Sequence, residues 1–193
     1  MSQRRSRWAT VLALTVSFLV GACGVAAPPA TNVQRESAGG SIDMPIYASI
    51  AELAAASDVV VVGTVGKVVA EEIDRGASGE GRPIPYTLYE VNVEEALKGE
   101  PGGTVIVARS HPDQLPTEDV TKLQEGESVV LFLVRRSSQD WPSFKAFDQW
   151  YLTVSLDNGV FDFMDENVIR PRLPEAFADP TLRLTDVRQA ITR

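Results

Sequence analysis

The sequence predicts a mainly β domain: a five-stranded Greek-key barrel with an extra β-hairpin and short helices at its N- and C-terminal ends. Residues 59–69 are nearly continuous valine, the pattern of a central strand buried on both faces. Shorter β-type runs recur at 85–97, 104–108, 128–134 and 147–156, separated by stretches rich in Gly, Pro, Asp and Ser. Helical spacing appears only in short pieces near the two ends of this region.

Tyr47 to Ala56 reads as a helix, with Ile50, Leu53 and Ala54 on one face. Asp58 opens the valine strand, in which Gly63 and Gly66 mark bulges or bends. Residues 71–85 read as a polar loop. The second strand, 85–97, changes phase between Leu88 and Val91, which predicts a bulge. Lys98 to Gly103 is turn chemistry, and Thr104 to Ala108 is the third strand. Asp113 to Gln124 could carry one or two helical turns capped by Thr117. Ser128 to Val134 is a fourth, central strand and Phe147 to Leu156 a fifth. Asp157-Asn158-Gly159 is a hairpin signal. Val160–Met164 and Val168–Arg170 form a small extra hairpin, and Thr185 caps a last helix through Ile191.

The chain has 193 residues, a net charge of −8 and a single cysteine. Arg4, Arg5 and Arg7 precede an apolar run of about a dozen residues, too short to span a bilayer at roughly 20 residues. The run ends in Val20-Gly21-Ala22-Cys23, which resembles the lipobox of bacterial lipoproteins. That resemblance implies a diacylglycerol thioether on Cys23, cleavage after Ala22 and acylation of the new amino terminus. Two or more acyl chains hold a protein on a membrane where one is marginal. An ordinary secretory signal with a chance cysteine is the alternative; the residues after Arg4-Arg5 fit a twin-arginine signal poorly. The expected organisation is a signal peptide over 1–22, a lipidated Cys23 and tether over 23–42, and one domain over 43–193. Loss of the three arginines takes the net charge from −8 to −11, which disfavours nucleic acid as a partner.

The order strand, strand, strand, short helix, strand, strand is that of the OB-fold. Ser57 to Val65, Tyr89 to Val93 with Leu97-Lys98-Gly99, and Leu123 to Gly126 with Val130 to Leu133 resemble the netrin-like modules, including tissue inhibitors of metalloproteinases. The resemblance covers roughly 57–135 and implies fold more than activity. Those inhibitors carry disulfides and present an amino-terminal cysteine to a protease zinc. This chain has no cysteine to spare from lipidation, so that mechanism is not carried over.

No catalytic, metal or cofactor site stands out. His111 is the sole histidine, Ser110 lacks the glycines of a nucleophile elbow, and the pairs Glu71-Glu72 and Glu94-Glu95 point to opposite strand faces. The aromatics are more telling. Trp141, Phe144 and Phe147 lie between the fourth and fifth strands, and the opposing loop brings Arg75, Arg82 and Tyr86. In OB-folds these loops flank the ligand surface. The aromatics therefore form either a binding patch or core that caps the barrel. The expected function is a non-catalytic binding module of the bacterial envelope, anchored through Cys23, whose partner is an envelope protein, peptide or glycan. An envelope enzyme of hydrolase type and a passive spacer are the alternatives.

Overall fold

A computed structural model describes residues 45–75, 83–111, 120–139, 141, 144–165, 167–178 and 181–192. Cys23, the tether, Arg82 and Thr117 lie outside the described residues. Helix α1 (Ile50–Ala56) begins where Ser49 Oγ accepts from the Glu52 amide, and it buries Ile50, Leu53 and Ala54, the face read from the sequence. Lys98 Nζ donates to the Ala54 and Ser57 carbonyls at 2.6 Å, a cation at the helix's negative end.

The strands are β1 (Val59–Asp74), β2 (Ile84–Lys98), β3 (Thr104–Ser110), β4 (Ser128–Ser137), β5 (Gln149–Thr153), β6 (Val160–Phe163), β7 (Val168–Pro171) and β8 (Leu182–Arg183). They form one mixed sheet of order β1-β2-β3-β5-β4-β6-β7-β8, and a further β1–β4 pairing partly closes the first five into a ring. The β3–β5 pair is parallel; the other pairs are antiparallel.

Burial on both faces explains the valine run. Val59, Val61 and Val65 join Tyr89, Val91, Val107, Leu131 and Tyr151 in a cluster supplied by all five ring strands, so it fills the ring. Val60 and Val62 face the other way, against α1, Phe132 and Phe161 and the last helix, α2 (Leu184–Ile191). A strand with apolar neighbours on both sides has no reason to alternate. A third cluster, built on Leu88, Ala108, Phe144 and Trp150, covers the outer face of β2, β3 and β5.

Several expectations are corrected. The stretch 71–85 is not simply a loop: β1 and β2 pair out to Asp74↔Ile84. Its polarity reflects exposure of the hairpin arms, where even Val68 and Ile73 are about half exposed. The pairing is irregular where the β2 phase change falls, but the bulge lies on β1 rather than β2. Leu88 faces the outer cluster while Tyr89 and Val91 face the ring, so both registers are apolar. The extra residues there lie on β1, between Val65 and Val68 and between Val68 and Ala70. Asp157-Asn158-Gly159 does not close a hairpin. Leu156–Gly159 forms a 3-10 turn, and β5 and β6 pair with different halves of β4. The helical turns expected within 113–124 fall mostly on 113–119, outside the described residues; the described part, 120–124, forms no helix. Helix α2 is capped two residues before Thr185: the Asp186 carboxylate accepts from the Arg183 amide, and Asn167 Oδ1 takes the Thr185 amide.

Gly63 pairs with both Val93 and Val129, and a Cβ there would stand 2.3 Å from the Asn92 carbonyl oxygen. At Gly66 the closest approach is 3.2 Å. Gly63→Ala is expected to lower unfolding free energy by about 1–3 kcal/mol, and Gly66→Ala by clearly less. Urea denaturation measures both; equal losses would contradict the tight β1–β2 approach.

Candidate functional site

The aromatic residues singled out in the sequence largely converge. Phe144 stacks on Trp150 at 4.4 Å and 16°, and Tyr86 meets Trp141 and Phe144 edge-on at 5.9 and 5.2 Å. Phe144 is buried, so it is core; Phe147 packs partly buried against the same cluster. Tyr86 and Trp141 are only half-buried and form the cluster's border. Arg75 is exposed. Of these aromatics Phe144 is therefore core, while Tyr86 and Trp141 wall a cavity.

That cavity arises from the weakest seam of the ring. β3 and β5 pair over only two positions, Val107↔Tyr151 and Ala108↔Leu152. Beyond them the strands part, leaving a cavity of about 290 Å³ walled by Ile84, Tyr86, Ala108, Trp141, Leu152 and Leu156. Asp74, Arg109, Ser110 and Thr153 complete its lining.

Arg109 bridges the parting strands. It is 3 % exposed, and its Nη1 donates to Thr153 Oγ1 at 2.8 Å and to the Leu156 carbonyl at 3.1 Å. Nη2 donates to the Thr121 carbonyl at 2.9 Å and to the Asp157 carboxylate, itself buried. The other oxygen of Asp157 accepts from the Thr121 amide at 2.8 Å. Burial pushes the Arg109 pKa down, and Asp157 opposes that. Arg172 clamps the same segment from the other side. It donates to Glu127, Asp162, Thr121 Oγ1 and the Lys122 carbonyl. Burial disfavours its charge, but the two carboxylates outweigh that and raise its pKa.

The turn that accepts from Arg109 is conformationally unusual. Ser155 and Leu156 have φ of 49° and 56°, the left-handed region that non-glycine residues seldom occupy. Asn158, fully buried, holds the turn by pairing with both the amide and the carbonyl of Tyr47, and Ser155 Oγ donates to the Pro45 carbonyl. Arg109 and this turn were missed as site-forming residues. The available signal was an arginine at the end of the apolar strand Val105–Ala108 and an Asp-Asn pair that turn chemistry also explains.

Two polar atoms of the lining residues are left over. Arg109 Nε and Ser110 Oγ are buried with no hydrogen-bond partner. An unsatisfied buried donor costs about 1–3 kcal/mol. Elsewhere, Glu95 pairs with Arg188, Glu94 accepts from Thr64, and the His111 amide donates to the Pro85 carbonyl. Among the described residues no cluster of three metal-ligating side chains occurs. No protein-family model matches the chain, and no curated protein matches it significantly.

Burial, and then the Asp74 carboxylate, push the Tyr86 phenol from 10.0 up to about 12. The folded chain keeps this proton where the unfolded chain gives it up. The resulting stabilisation is complete below pH 10 and is lost as the pH rises through about 12. Over that interval the wild type should lose up to about 1.4 kcal/mol per pH unit more than Tyr86→Phe. Urea unfolding across the interval reads this; parallel slopes would contradict the placement of Tyr86.

Proposed function

We propose that the protein is a membrane-anchored lipoprotein of the bacterial envelope, facing away from the cytoplasm, and that its folded part is a non-catalytic binding module. The anchor reading rests on Val20-Gly21-Ala22-Cys23 after a basic, then apolar, leader. An OB-like barrel is supported by the ring order β1-β2-β3-β5-β4 with its parallel β3–β5 seam.

The observation that carries the binding reading is the cavity at that seam, with Tyr86 and Trp141 among its walls. Apolar pockets with a few convergent polar groups are typical ligand sites. A hydrolase would need a base within reach of its nucleophile. Ser110 Oγ has no hydrogen-bond partner, which favours binding over that alternative. A passive spacer gives no account of a cavity with aromatic walls. At about 290 Å³, the cavity admits one side chain of an envelope protein or peptide, one residue of a glycan, or a small molecule.

Two measurements on material from native membranes test this. Mass spectrometry of the amino-terminal peptide should find Cys23 diacylglyceryl-modified, and Cys23→Ala should move the protein largely out of the membrane fraction. Native mass spectrometry should find a bound species that Trp141→Ala loses. An unmodified Cys23 would overturn the anchor, and native material carrying no such species would overturn the binding role.

A further inference from the structure

We propose that the cavity at the β3–β5 seam takes the acyl chain of a membrane lipid. This rests on the binding and anchor readings above and names the ligand of the same site.

The walls set the chemistry. Ile84, Tyr86, Trp141, Leu152 and Leu156 are each only half-buried, and they line the cavity together with Ala108. The polar lining residues offer it little surface. Arg109, Ser110 and Thr153 are 3, 6 and 8 % exposed. The Nη atoms of Arg109 donate to four acceptors within the fold, and Thr153 Oγ1 is one of them. Asp74, the remaining lining residue, ends β1. What meets an occupant is therefore mainly hydrocarbon and aromatic ring, and an apolar occupant gains by leaving water for it.

Volume sets the length. An apolar cavity of about 150 Å³ holds the six carbons of benzene, so about 290 Å³ holds roughly a dozen carbons. A longer acyl chain would enter by its methyl end and keep its head group outside.

The source follows from where the domain is tethered. The turn that carries Leu156 also holds the start of the described chain. Ser155 Oγ donates to the Pro45 carbonyl, and Asn158 pairs with the amide and carbonyl of Tyr47. Cys23 stands 22 residues before Pro45, so at most about 80 Å of fully extended chain separates a lipid on Cys23 from this turn. A cavity with a wall on that turn stays within that reach of the bilayer. Acyl chains are then the apolar groups it meets at high effective concentration.

The test uses the intact lipoprotein in nanodiscs of phosphatidylcholine dibrominated near the methyl end of its acyl chains, with unbrominated nanodiscs as reference. Bromine quenches tryptophan emission on contact. Trp141 walls the cavity and packs against Trp150, and these are the two tryptophans outside the leader. Bromination should remove at least Trp141's share of the emission. Ala108→Phe fills the cavity. Leu156→Asn makes one wall polar at a residue whose φ of 56° suits asparagine better than leucine. Both variants should keep full emission in brominated nanodiscs, and circular dichroism verifies their fold.

Absence of quenching in the wild type would overturn the acyl assignment. Quenching that persists in the folded variants would overturn the cavity as its place. In native mass spectrometry, the species lost in Trp141→Ala should have the mass of a lipid. A peptide or glycan there would overturn the acyl assignment and leave the binding role standing. Quenching as stated, with nothing bound in native material, would leave the acyl cavity standing and overturn the binding role.

Discussion

The buried Arg109–Asp157 pair is the constraint on which the rest of the structure turns. A parallel seam two residues long contributes few backbone hydrogen bonds to the ring. Arg109 extends it with a side-chain bond to Thr153 and a second bond to the Leu156 carbonyl in the turn beyond. Withdrawing a guanidinium from water costs several kcal/mol. Asp157, itself within that turn, and three further acceptors offset the cost. The same contacts hold the left-handed Ser155-Leu156 pair and bring the 120–124 segment against the ring. One residue past the bridge the strands are no longer paired, and there Ser110 lines a cavity.

Much of this architecture was legible in local pattern. The valine run indicated a strand covered on both faces, because β-branched residues favour strands and a strand with two apolar faces does not alternate. Gly63 was legible as an irregularity and sits at a register shift. The α1 face was legible from spacing alone. What escaped is nonlocal. Asp157 and Asn158 look like ordinary turn residues until Arg109 and Tyr47, distant in sequence, are placed beside them. The β2 phase change has two sources that local pattern does not separate: two different clusters receive its two faces, and β1 carries extra residues opposite it. The start of α2 was misplaced because its cap is a carboxylate reaching back from Asp186, with Asn167 serving the next turn.

The candidate site was half legible. Composition drew attention to Trp141, Phe144, Phe147 and Tyr86, and they do gather in or against one cluster. Composition does not divide a cluster into core and wall; that division depends on how far β3 and β5 stay paired. Phe144 is sandwiched into the core, whereas Tyr86 and Trp141 border the opening. The polar residues in the cavity's lining carry no motif. The membrane-anchor reading is independent of all this, since it stands on four residues far from the domain.

A double-mutant cycle on Arg109 and Asp157, read by equilibrium unfolding in urea, tests the central claim most directly. Asp157→Ala should cost about 3–5 kcal/mol, because it strands a buried cation. The joint replacement Arg109→Met with Asp157→Leu should cost clearly less than the sum of the two single changes. Single losses below about 1 kcal/mol that simply add would contradict the account, since they would mean that the seam closes without the pair.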